Sequence, residues 1–177
     1  MHTRQRTPSA ARRSIIWLST SSRPPRATKA AILDMAGAVR QVVDDQITAI
    51  TPTDDLRWAL GRDETPYDGE IAWGGSRSDV YRVNLTTGER TLIERGLSRM
   101  MGLSPDGKWA IYLKDGRVHS YELATGKKTV IDGGRSFVNA EDDHDYERPV
   151  YGMAGFTADD RVLLYDRHDV WALPLAG

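Results

Sequence analysis

Apolar and polar positions between Leu103 and Ile131 predict strands, not helices. Trp109-Ala110-Ile111-Tyr112-Leu113 is a short apolar run with turn residues on either side. Runs of this length between turn signals read as strands. Val118, Ser120 and Glu122 then alternate with His119, Tyr121 and Leu123, the period-two pattern of a strand. Ser104-Pro105-Asp106-Gly107, Asp115-Gly116 and Ala124-Thr125-Gly126-Lys127 separate the runs. Pro presets φ at the first central turn position, and Asp-Gly favours a two-residue hairpin. The stretch predicts an antiparallel meander. Such a unit cannot bury its apolar faces alone, so it should recur along the chain.

It does recur. Val80 to Ile93, VYRVNLTTGERTLI, matches Val118 to Ile131, VHSYELATGKKTVI, with Val, Leu, Thr, Gly, Thr and Ile at equivalent places. Thr51 to Leu60 parallels Ser104 to Ile111, with Trp58-Ala59 over Trp109-Ala110. A third copy runs from Phe156 through Tyr165 into Asp169 to Gly177, where Val170 and Leu175 take the places of Val80 and Leu85. A four-stranded repeat of about forty to fifty residues is the size of a β-propeller blade. The expected fold is therefore all-β, a partial β-propeller of roughly two and a half four-stranded antiparallel blades. The blades should cover residues about 47–95, 96–135 and 150–177, the last incomplete. Closed propellers have about four to eight blades, so the reading expects a truncated product or a piece of a larger propeller. Its open blade edges would invite self-association.

Residues 1–46 differ in composition. Arg4, Arg6, Arg12, Arg13, Arg23, Arg26 and Lys29 precede the first acid, Asp34, with Ser, Thr, Pro and Ala between them. Ile15-Ile16-Trp17-Leu18 is shorter than the apolar core of a secretory signal, and the compartment stays undetermined. The segment reads as a basic, low-complexity leader, disordered or partly helical. A short amphipathic helix fits before Gly37, because Ile32, Met35, Val39 and Val42 recur at near-helical spacing. A strand should begin near Ile47.

Charge is nearly balanced, with 24 Lys and Arg against 25 Asp and Glu, which gives no general case for nucleic-acid binding. Cys is absent, so disulfides and thiolate metal sites are excluded. No apolar run reaches the length of a membrane span. No cofactor motif is present: Trp73-Gly74-Gly75 is Gly-rich but lies outside any βαβ pattern.

Two insertions interrupt the repeat. The run between Trp58 and Val80 is more than twice as long as the one between Trp109 and Val118. Pro66, Gly69, Gly74 and Gly75 make it a loop, with a short strand expected at Glu70 to Trp73. The second insertion, Phe137 to Gly155, opens with the acidic run Glu141-Asp142-Asp143-His144-Asp145. Such a run can bind a hard cation through carboxylate oxygens. It lacks the glycine-punctuated alternation of a calcium loop, and a solvated loop that faces a substrate or partner is the stronger reading. His144 and His168 read as surface histidines, and His119 as exposed. Trp58, Trp109 and Trp171 recur at blade positions, where packing between blades is favoured over ligand stacking.

The SPDGKW…DG-V-x-x-x-x-L-A-T-G-K form resembles the blades of TolB-like proteins and of prolyl oligopeptidase (S9) serine peptidases. The S9 likeness is carried by Ala59 to Tyr67 with Trp73-Gly74-Gly75, by Asp142 to Pro149 running into Tyr151 to Asp160, and by Leu164 to Trp171. In that family the propeller precedes an α/β-hydrolase domain with a Ser-Asp-His triad, whose Ser stands on a G-x-S-x-G elbow. Gly74-Gly75-Ser76-Arg77-Ser78 lacks the last Gly, so no catalytic residue carries over. The resemblance implies a non-catalytic propeller portion that gates or positions peptide for a hydrolase domain. The alternatives are a TolB-like module for protein partners, or a remnant without function.

Overall fold

The computed structural model describes residues 14–18, 29–33, 39–44, 46–73, 77–143 and 147–177. They form antiparallel sheets with strand order running along the chain. Ala49–Pro52 (β4), Trp58–Asp63 (β5), Ser78–Asn84 (β6) and Arg90–Leu97 (β7) make one four-stranded sheet. Arg99–Leu103 (β8), Trp109–Lys114 (β9), Arg117–Glu122 (β10) and Lys128–Val130 (β11) make the next. Gly152–Phe156 (β12), Arg161–Tyr165 (β13) and Val170–Pro174 (β14) make a three-stranded third. Each is a meander that leads directly into its neighbour. The chain is all-β and forms part of a β-propeller.

The sheets pack face to face, and this explains the unbroken apolar run of β9. Ala110 and Tyr112 face Leu60, Val80, Ile93 and Leu97 of the preceding sheet. Trp109, Ile111 and Leu113 face Val162, Leu164, Leu173 and Leu175 of the following one. A strand covered on both faces has no reason to alternate. Trp109 therefore packs between blades, and Trp58 lies partly buried against the cluster that joins the first two four-stranded sheets. Polar bonds add to the stacking: Arg82 Nη1 donates to the Leu123 carbonyl at 2.8 Å, and Ser120 Oγ to the Leu175 carbonyl at 2.6 Å.

The repeat extends to its turns. Between the first and second strands of each blade, a hydroxyl, a carboxylate and a cation recur at alternate positions: Thr53-Asp55-Arg57, Ser104-Asp106-Lys108 and Thr157-Asp159-Arg161. Thr53 and Ser104 donate to Asp55 and Asp106 at 2.7 and 2.6 Å. The cations reach the three carboxylates at 2.6, 2.8 and 3.0 Å. Burial raises the carboxyls of Asp55 and Asp106, but their hydroxyl, cation and backbone bonds together outweigh it and hold both below the usual range. Thr157 and then Arg161 lower Asp159. The turn also receives the end of the third strand: the N–H groups of buried Leu85, Leu123 and Leu175 donate to the Arg57, Lys108 and Asp160 carbonyls at 2.9, 2.8 and 3.0 Å. Gly107 has φ +68°, and a Cβ there would meet Thr53 Cβ at 3.0 Å. Glycine is required by both conformation and space.

Three expectations are corrected. Within residues 1–46, where a disordered or partly helical leader is expected, the described residues form strands. Ser14–Leu18 (β1), Lys29–Leu33 (β2) and Val39–Gln41 (β3) pair as a three-stranded sheet, with Ile32 opposite Arg40. Val42 and Val43 follow it into a core with Ile47, Ile50, Ala59, Val83 and Leu85. The spacing that suits a helix face also suits strands once a partner sheet buries them, and β-branched residues favour the latter. Residues 70–73, expected as a strand, belong to a 3₁₀ helix at Thr65–Trp73. Asp63 Oδ1 accepts from the Thr65 N–H at 3.0 Å and Pro66 supplies a preset φ at its start. His119 is not fully exposed: it is half-buried and stacks on Tyr112, ring centroids 5.0 Å apart, so burial lowers its pKa.

β14 is an edge strand among the described residues, and Val170 on it is 49% exposed. Unpaired edges accept strands from other chains. We expect the purified chain to self-associate through this edge. Sedimentation velocity should show a species that grows with concentration and that Val170→Lys suppresses. A monomer at every concentration would remove the idea.

Candidate functional site

An antiparallel meander sends its second-to-third and fourth-to-first connections to one end, and the remaining turns to the other. The second end carries only short repeat turns. Both insertions, residues 64–77 and 131–151, therefore lie at the first end, with the β9–β10 hairpin between them. Three connections from two blades converge there on a cavity of about 490 Å³. Arg77 closes the first insertion, Gly96 ends β7, and Lys114, Asp115 and Gly116 form the hairpin turn. Val138, Glu147 and Arg148 come from the second insertion.

Local chemistry fixes each wall. Asp115 and Gly116 have φ of 51° and 75°, the paired positive values of a type I′ turn that Asp-Gly supplies. This tight turn sets Lys114 at the lip, where its Nζ donates to the Arg95 carbonyl at 3.2 Å. The first insertion is tied down by buried Asp79, which accepts from the Tyr67 hydroxyl at 2.6 Å and the Gly96 N–H at 3.0 Å. The Asp79 carboxylate bond raises the Tyr67 phenol pKa. Arg95 adds an ion pair to Asp79 at 3.6 Å.

The second insertion is anchored from below. Buried Asp132 holds Arg117 with two bonds, Nε at 2.6 Å and Nη2 at 2.7 Å, and accepts from the Val118 and Gly134 N–H groups. Arg117 lowers its carboxyl most, and burial opposes this. Phe137 is fully buried in the core shared by the last two sheets. The chain then turns back on itself: Val138 bridges Val150, and the Asn139 and Tyr151 N–H groups donate to the Pro149 and Phe137 carbonyls at 2.7 and 3.0 Å. Ser98, at the link between β7 and β8, donates to Glu147 and so joins this insertion to the preceding blade.

The expected acidic run lies at the tip of this folded-back loop. Glu141 and Asp143 are exposed and Asp142 is half-buried. His144 and Asp145 lie outside the described residues. Glu141 pairs with Arg167 of the β13–β14 turn at 2.7 Å, both side chains well exposed, and its N–H donates to Asn139 Oδ1 at 3.0 Å. The carboxylates of 141–143 thus crown the loop, and the cavity wall is made instead by the residues just after them. Among the described residues no cluster of three metal-ligating side chains occurs. His168 is exposed in its turn, with its N–H donating to Asp166. Trp171, at the same end, carries Arg135 over its ring at 3.6 Å, and its Nε1 donates to Asp166 at 2.6 Å.

Sequence reasoning did not single out Lys114, Arg148, Asp79 or Ser98. The available signal was positional: both insertions occupy connections that antiparallel meanders direct to the same end.

No helix among the described residues is long and apolar enough to cross a membrane. No protein-family model matches the chain, and no curated protein sequence does. Among solved structures it is similar to an oligogalacturonate lyase in complex with manganese, at 14% identity and TM-score 0.46 over 84% of this chain and 40% of that one. It is similar to the tricorn protease at 19% identity and TM-score 0.47, over 83% of this chain and 15% of that one. A putative TolB from Agrobacterium tumefaciens matches at 17% identity and TM-score 0.38, over 80% of this chain and 64% of that one. The chain spans less than two-thirds of each of these three structures.

Proposed function

We propose that this chain is a non-catalytic portion of a β-propeller that holds peptide at its insertion-bearing end. The observation that carries the reading is the convergence of both long insertions and the β9–β10 hairpin on one cavity. Functional residues concentrate on loops held by a rigid scaffold, and here two stacked blades supply the scaffold. The serine hydroxyls nearby have structural tasks, Ser98 on Glu147 and Ser120 on the Leu175 carbonyl. The resemblance to prolyl oligopeptidase-family serine peptidases adds a finer reading. In it, the propeller gates or positions peptide for an α/β-hydrolase domain, and the loop Glu141 to Asp145 faces the substrate.

The test mixes the purified chain with fluorescent proline-containing peptides and follows both anisotropy and product masses. The expected result is saturable binding without cleavage. Binding should disappear when residues 140–148 are replaced by a short Gly-Ser linker. Cleavage by the chain itself would overturn the non-catalytic reading.

A second reading is a TolB-like module for protein partners. It is favoured by the exposed Glu141–Arg167 pair, which sets polar groups on the outside of the rim. Coding sequence beyond the Gly177 codon separates the two: a G-x-S-x-G elbow supports the peptidase, and further blades without one support the module.

A further inference from the structure

We infer that the cavity between the two insertions is a carboxylate-binding subsite, built by Lys114, Arg148 and Arg77 from three separate connections. The inference deepens the peptide-binding reading and rests on it. Three cations and two anions, Asp115 and Glu147, line this cavity, so its formal charge is one positive. Lys114 donates to a neutral backbone carbonyl, which leaves its charge uncompensated. No described carboxylate lies within ion-pair distance of Lys114 or Arg148, although exposed acids are plentiful elsewhere and pair with Arg57, Lys108, Arg161 and Arg167. Glu147 is held by Ser98, which orients its carboxylate. Val138 adds an apolar wall.

A single net positive charge matches one carboxylate and is a poor match for a dianionic phosphate. A guanidinium and an ammonium converging from separate loops suit a planar monoanion: Arg offers paired N–H donors and Lys a rotatable point charge. The volume accommodates an acidic side chain or a chain terminus with neighbouring methylenes against Val138. The carboxylate can come from either source, and the chemistry is the same.

The experiment uses the full chain and three peptides in low salt: acetyl-Ala-Glu-Ala-amide, acetyl-Ala-Gln-Ala with a free terminus, and acetyl-Ala-Gln-Ala-amide. Dissociation constants come from calorimetry or NMR titration. At least one carboxylate-bearing peptide should bind about tenfold more tightly than the neutral amide, and which one does so identifies the source. Lys114→Gln with Arg148→Gln should remove that preference while leaving the neutral peptide unaffected. Circular dichroism checks that the variant is folded. Glu147→Gln, which keeps the Ser98 bond and removes a competing anion, should tighten carboxylate binding about threefold. Equal affinity for all three peptides overturns the subsite and leaves peptide binding standing. Absence of binding by any of them overturns both. A preference that survives Lys114→Gln with Arg148→Gln places the carboxylate elsewhere and also overturns the inference.

Discussion

Phe137→Ala is expected to destabilise the chain by about 3–5 kcal/mol, the range for a large aromatic removed from a tight core. Phe137 is fully buried among Trp109, Leu113, Ile131, Val162 and Leu164. It is also the first fixed point of the second insertion, since the Tyr151 N–H donates to its carbonyl at 3.0 Å. Truncation therefore opens a cavity between two blades and loosens the loop that carries Glu147 and Arg148. Urea denaturation reads the loss directly. Phe137→Leu keeps most of the volume and should cost under about 1.5 kcal/mol. If the two variants unfold at the same urea concentration, the side chain does not pack as described.

Asp132→Ala should cost about 2–3 kcal/mol. Asp132 is 1% exposed and satisfies two backbone N–H groups besides Arg117. Removing it leaves the buried Val118 N–H without its acceptor, a penalty of roughly 1–3 kcal/mol. Arg117 is half-exposed and can return to water, so the pair itself adds only about 1 kcal/mol or less. Asp132→Asn keeps one acceptor and should lose about half as much. The pH dependence follows from the lowered carboxyl. A depressed folded pKa contributes stability above the unfolded value of about 3.9, and this is lost as pH falls through the folded value. The gap between wild type and Asp132→Asn should therefore be full near neutrality and shrink in acid below about pH 4. A gap that stays constant down to pH 2 would show that the Arg117 pair is not what lowers the carboxyl. Asp55, Asp106 and Asp159 shift in the same direction in the three repeat turns, so the wild type itself should weaken over the same acid range.

The blades were legible in the sequence because their information is local and repeated. Asp115-Gly116 specifies a hairpin by its own torsions, and Ser104-Asp106-Lys108 specifies a turn by its own hydrogen bonds, at whatever place the meander sits. Leu85, Leu123 and Leu175 could be aligned by eye for the same reason, although the bond each makes to the preceding turn was not visible. The cavity was not legible. Lys114, Arg148 and Arg77 lie in three connections with nothing in common in sequence, and only the stacking of one sheet on the next brings them together. The acidic run drew attention by its composition, yet folding places its described members at the tip of the loop. Charge density is a property of the chain, and convergence is a property of the fold.

Residues 29–43 show the limit most clearly. Ile32, Val39 and Val42 satisfy a helical spacing in the sequence, and a lone segment has no means of choosing between helix and strand. The choice was made by β1 and β3 pairing on either side of β2, and by the core that receives Val42 and Val43. Backbone pairing between separate segments and burial against a neighbouring sheet are non-local terms. By itself the sequence determined the strand-and-turn repeat and the all-β class. The tertiary structure decided which apolar faces are covered, which end of the sheets carries the insertions, and which charges meet there.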